Sequence, residues 1–130
     1  MTVYIETSAA GKLLFDEAES VALGAYLDQQ RDDGVNVVSG ALLETELRRI
    51  AIRDGLSQAA VTDILDLFYL YTPDRAVYAQ AGLLPSTHLG SLDALHIAVA
   101  MRLEADAMVT YDLRQAEAAH AAGLQVVAPS

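Results

Sequence analysis

Four acidic residues stand where a carboxylate needs a reason: Glu6, Glu46, Asp93 and Asp112. Asp93 falls in the first turn of SLDALHIAVAMRL, where Leu92, Ala94, Leu95, Ile97, Ala98, Val99, Ala100, Met101 and Leu103 cover almost every face of a helix that Ser91 is suited to cap. A helix apolar all round is a buried one, and an unpaired charge beside it is costly. Glu46 shares a helical column with Leu42 and Ile50 in the helix predicted over residues 39–54, so it should face inward, unless it snorkels from the edge of the stripe. Asp112 ends the strand-like run from Ala107 to Tyr111 and would also serve as an N-cap. Glu6 ends the strand Thr2–Ile5; taken alone, it equally suits a surface acid. For Asp93 the simpler alternative is an acid complementing the helix dipole.

One cause covers all four. Carboxylates gathered at strand ends repel each other unless a hard cation sits among them. Mg²⁺ and Mn²⁺ take oxygen ligands, and Mg²⁺ binds through a few carboxylates, waters and substrate phosphates. Such a site suits phosphodiester hydrolysis, because the metal polarises the phosphate and acidifies a bound water.

The elements that must position these groups alternate. Strands are predicted at 2–5, 35–38, 67–71, 107–111 and 125–128. Helices are predicted at 9–15, 16–30, 39–54 (capped by Ser39), 57–65 (capped by Ser57), 74–82, 91–103 and 113–122, with Thr7 and Ser8 as caps of the first. This pattern means an α/β domain whose parallel sheet is covered on both faces. Ligand sites in such sheets lie beyond the strand carboxyl ends, where strand order reverses. Glu6 and Asp112 become neighbours if the first and fourth strands pair.

At 130 residues and 53% hydrophobic, the chain reads as one globular domain, 1–130, with no linker, repeat or low-complexity segment. Eight basic against eighteen acidic side chains give a net charge of −10, which disfavours nucleic acid unless clustered Arg or bound cations supply local positive charge. The absence of cysteine excludes disulfides, thiolate metal sites and cysteine nucleophiles. With no signal-peptide pattern at the start and no apolar run of about 18 residues, a soluble cytoplasmic protein is expected.

VYIETSAA, Glu46 within ETELRR, SLDALHIA and VTYDLR resemble the PIN-domain nucleases, and among them the VapC toxins of bacterial toxin–antitoxin pairs. The likeness runs through the whole chain to AAGLQVVAP. It implies a three-layer α/β/α sandwich with a central, mostly parallel sheet, and a Mg²⁺- or Mn²⁺-dependent endoribonuclease with a quartet of acids. Glu46, Asp93 and Asp112 match three positions of that quartet. Glu6 stands at the fourth, where the family carries aspartate. The extra methylene moves the carboxylate by roughly a bond length, against a metal-ligand tolerance of about 0.2 Å, so attenuated activity is expected, more so with Mg²⁺. The resemblance also implies a cognate antitoxin with basic side chains, an RNA substrate such as tRNA or rRNA, and a homodimer. Helices 16–30 and 57–67 are candidate walls of the antitoxin groove.

Thr7, Ser8 and Thr110 are candidates for water or substrate contact, although capping or structural roles suit them too. Arg114, with Arg48, Arg49 and Arg53, is a candidate phosphate contact or a partner for surface acids such as Glu44 and Asp54. His96 reads as a hydrogen-bonded core histidine ahead of a catalytic base. His88 and His120 carry no signal, and the tyrosines read as core and strand residues. Two other classes compete with the nuclease: a catalytically weak PIN fold that binds an antitoxin, and a phosphoacceptor domain. The latter needs a lysine after its last strand, whereas Lys12, in the first helix, is the only lysine.

Overall fold

The computed structural model describes residues 1–130. Five strands, β1 (Thr2–Ile5), β2 (Asn36–Gly40), β3 (Tyr69–Tyr71), β4 (Ala107–Val109) and β5 (Gln125–Val127), form one sheet in the order β3-β2-β1-β4-β5. Every pairing is parallel, so the expected mostly parallel sheet is wholly so. The first and fourth strands do pair, with Ile5 opposite Val109.

Seven helices complete the three layers: α1 (Thr7–Lys12), α2 (Ser20–Asp32), α3 (Leu42–Asp54), α4 (Gln58–Leu65), α5 (Arg75–Gly82), α6 (Ser91–Arg102) and α7 (Leu113–Ala121). The two-residue period of β1 assigns its side chains to opposite cores. Val3 and Ile5 join Leu23, Leu27, Leu43, Leu47 and Val61 beneath α1–α4. Tyr4 joins Val77, Ile97, Val99 and Ala119 beneath α5–α7. As its composition demanded, α6 is the buried helix, with Ala94 and His96 through Ala100 all inside.

Several boundaries differ from expectation because side chains found other partners. Ser39 does not cap α3: it lies fully buried in β2, its hydroxyl donating to the Ile5 carbonyl at 2.6 Å. Ala41 stands at the N-cap instead, without a side-chain bond. Gly90, not Ser91, precedes α6 as its N-cap. The second helix begins at Ser20 rather than Asp16, because the Ser20 hydroxyl turns back to the carbonyls of Lys12 and Phe15 and holds residues 16–19 in a loop. Ser57 caps α4 as expected, through the Ala60 N–H, and Asp74, expected as the first residue of the fifth helix, is the N-cap of α5 through the Val77 N–H. Gly55 closes α3 in the left-handed conformation, φ 67°.

Candidate active site

Strand order reverses at β1, and Glu6 follows it directly, its N–H bonded to the Val109 carbonyl of β4 at 3.2 Å. Asp112 lies just past the end of β4, Asp93 in the first turn of α6, and Glu46 on α3. They share one field. Burial, then the negative charges of Asp112, Glu6 and Glu46, raise the Asp93 carboxyl above the ordinary carboxylate range, with only His96 opposing. No three Asp, Glu or His side chains lie together as a metal-holding group. None of the concavities in the surface is lined by the four acids.

Glu6 is not a surface acid; it is 3% exposed. It is also the N-cap of α1, the role expected of Thr7 or Ser8: its Oε1 accepts from the Ser8 N–H at 3.0 Å and from the Ser8 hydroxyl. The Ser8 oxygen in turn accepts from the Tyr111 N–H at 2.9 Å and lies 3.2 Å from Thr110 Oγ1, which accepts from the Asp112 N–H at 3.1 Å. A carboxylate only accepts, so the single Ser8 proton goes to Glu6 and Thr110 must donate to Ser8. One directed chain therefore runs from Asp112 N–H through Thr110 and Ser8 to Glu6 Oε1, buckling the end of β4 to the end of β1. The Thr110 hydroxyl, on a residue 1% exposed, is committed to this buckle.

A second chain reaches Glu46. Tyr4 is fully buried, and burial pushes its phenol far above the usual range, so it stays protonated. Its oxygen accepts the Gly40 N–H at 3.0 Å and lies 2.5 Å from His96 Nδ1. His96 Nε2 lies 2.7 Å from Glu46 Oε1, and the Thr7 hydroxyl donates to the same oxygen at 2.8 Å. Glu46 therefore points inward, with 19% of its side chain exposed. Burial alone would raise its carboxyl, but the His96 ring and the Thr7 hydroxyl outweigh that and hold it below the ordinary range. Gly40 is needed where it stands, since a Cβ there would lie 3.1 Å from the Tyr4 oxygen and 2.6 Å from a Leu42 methyl.

Asp112 is indeed an N-cap: its Oδ1 accepts from the N–H groups of Arg114 and Gln115 at 2.9 and 3.0 Å. Glu6, Glu46 and Asp112 thus share a pattern. Each has one oxygen fixed by the fold and a second with no hydrogen-bond partner in the protein. Capping and ligation do not exclude each other here, because they use different oxygens.

Two residues of this neighbourhood escaped the sequence. Tyr4 read as an ordinary strand residue. Gln115, fully buried, bonds the Asp93 carbonyl at 3.2 Å and so ties α7 to the first turn of α6. Its spacing of four from buried Ala119 was the available signal. The arginines divide. Arg48 pairs with Glu44 at 2.8 Å and bonds Gln58 and Thr62, and Arg53 pairs with Asp54, as their surface alternative required. Arg49 and Arg114 are exposed, without ion pairs through their guanidinium groups. Lys12 binds Glu17 and Glu19 and lies over the Tyr111 ring, away from a phosphoacceptor's requirements.

A wholly parallel α/β/α sandwich with Glu6 directly after its central strand and Asp112 past the neighbouring β4 defines the class. The chain belongs to the PIN domain family, whose model matches residues 3–121. Within it, the chain is 40% identical over 135 residues to ribonuclease VapC35 of Mycobacterium tuberculosis, covering 98% of this chain and 96% of that protein. It is 37% identical over 132 residues to ribonuclease VapC46 of the same organism, covering 98% of each. Its fold is that of Mycobacterium tuberculosis VapC20, a sarcin-ricin loop cleaving toxin: TM-score 0.77 at 17% identity, over 98% of this chain and 99% of that one. No helix is long and apolar enough to cross a membrane.

Proposed function

We propose that this chain is the toxin of a VapC-type toxin–antitoxin pair, a divalent-metal-dependent endoribonuclease acting as one cytoplasmic domain. The observation that carries the reading is the pairing of anchored and free oxygens on Glu6, Glu46 and Asp112 around Asp93. The named function of the 40% identical relative supports it. The residues fit Mg²⁺ or Mn²⁺. Every donor is a hard carboxylate oxygen, Glu6 and Asp112 follow the paired strands β1 and β4, and Asp93 carries a charge that burial and its acidic neighbours disfavour. Glu6, Glu46, Asp93 and Asp112 would hold the cation, directly or through water. When bound, such a cation offsets charge developing on a phosphodiester and makes water a better nucleophile.

The protein's own part is positional. The buckle through Ser8 and Thr110 fixes the spacing of Glu6 from Asp112. Thr7 and His96 hold Glu46 ionised and aimed. Arg49 and Arg114, exposed and like Arg75 without an ion pair, would supply cationic groups for phosphate contact on a chain of net charge −10. The proposed substrate is RNA such as tRNA or rRNA, as the family membership suggests. The same negative charge favours an antitoxin whose inserted segment is basic, with α2 and α4 as walls of its groove, and a homodimer completes the assembly. Glu6 attenuates the enzyme: its longer side chain is folded back into the α1 cap. That feature also motivates a second reading, a weakly catalytic PIN fold working chiefly through antitoxin binding.

Incubation with total RNA and Mn²⁺ or Mg²⁺, with ends mapped by sequencing, tests the first reading against the second. Cleavage that depends on metal and disappears in Asp93→Asn and Asp112→Asn is expected. Asparagine also caps helices, so the Asp112 variant removes charge while keeping α7. Metal-independent cleavage, or none at any metal concentration, refutes the nuclease. Sedimentation as a monomer at micromolar concentration refutes the homodimer.

A further inference from the structure

We infer that Tyr4 and His96 are positioning residues that act through Glu46, holding the free oxygen of this glutamate toward the metal site; the inference rests on the nuclease reading above. The geometry leaves His96 little else to do. Both ring nitrogens are occupied, Nδ1 by Tyr4 at 2.5 Å and Nε2 by Glu46 Oε1 at 2.7 Å, with the Thr7 oxygen 3.0 Å from Nε2. Nε2 faces a carboxylate, so it carries a proton. Tyr4 has its oxygen engaged by the Gly40 N–H, and the inferred relay assigns the Tyr4 proton to the hydrogen bond with Nδ1. With both ring nitrogens facing protein groups, the ring turns neither nitrogen to water as a general base would; the relay requires the Nε2–H tautomer.

The parts of this relay come from four elements: Tyr4 from β1, Gly40 from β2, Glu46 from α3 and His96 from α6. With Oε1 bound by two donors, rotation of the Glu46 carboxylate is restrained and Oε2 is left without a protein partner. Outer-shell hydrogen bonds of this kind typically change metal affinity about 10–100-fold when broken.

The test is Mn²⁺ titration by calorimetry on the full chain, with thermal melts to confirm folding. Tyr4→Phe, His96→Leu and Glu46→Gln should each weaken Mn²⁺ binding about tenfold or more, while His96→Gln, which can keep an N–H near Oε1, should restore most of it. Tyr4→Phe should add nothing in a Glu46→Gln background, whereas loss through general destabilisation would add. Nitrogen-15 spectra of the parent should show His96 as the Nε2–H tautomer, and Tyr4→Phe should release part of it to the Nδ1–H form. Parent Mn²⁺ binding that falls with Glu46→Gln but not with Tyr4→Phe or His96→Leu overturns the relay alone. A proton on Nδ1 in the parent does the same. Failure of the parent to bind Mn²⁺ overturns the metal reading and the relay with it.

Discussion

Glu6→Asp separates the position of a charge from its presence. Glu6 is 3% exposed, so the change deletes one buried methylene, which costs about 0.5–1.5 kcal/mol. Aspartate is a preferred N-cap, so the bond to the Ser8 N–H survives and little is added to that cost. For 130 residues the melting temperature should fall by roughly 2–6 °C. Activity should move the other way. A misplacement of about 1 Å can cost about a hundredfold in rate, and Mg²⁺ demands stricter geometry than softer sites allow. Glu6→Asp should therefore cleave RNA faster than the parent, with the larger gain in Mg²⁺ than in Mn²⁺. The assay compares both proteins on one RNA at matched metal concentration. Because charge is unchanged, a rate difference reports geometry. Equal or slower cleavage by Glu6→Asp would show that the pocket has settled around glutamate and would end the attenuation idea.

Asp93 has a folded-state titration raised by burial and by its acidic neighbours. Its stabilising contribution is therefore complete below its ordinary value of 3.8 and lost as pH rises through the folded value. In chelator at pH 7, Asp93→Asn should melt above the parent, and the gap should close below about pH 4; a variant melting lower at pH 7 contradicts the field described. Ser8→Ala strands the Tyr111 N–H and removes one partner each from Thr110 and Glu6. It should cost about 2–4 kcal/mol, seen as a melting temperature roughly 6–15 °C lower; a drop under about 2 °C would show the buckle to be dispensable. Mn²⁺ at about 100 times its dissociation constant should stabilise the native protein by about 2.7 kcal/mol. Scanning calorimetry should show that gain, and Asp93→Asn should abolish it.

Much of this protein is set by local pattern. The strand–helix alternation, the buried α6, the cap at Ser57 and the start of α5 beside Asp74 depend on periodicity and on hydrogen bonds a few residues long, so they are legible in order along the chain. Glu46 could be placed facing inward because its column is defined by its own helix. The adjacency of Glu6 and Asp112 followed from a parallel sheet once β1 and β4 were paired, but the pairing itself is a tertiary choice. Local pattern failed where a polar side chain had a local partner available and took a distant one. Ser39 left the cap of α3 for the Ile5 carbonyl, and Ser8 left the cap of α1 to bridge Glu6 to Tyr111. Tyr4 and His96, 92 positions apart, met only because β1 and α6 share one core. Burial decides such cases. A hydroxyl or ring nitrogen removed from water must find a partner, and which partner lies within about 3 Å depends on how strands and helices stack, information that no local stretch of sequence contains.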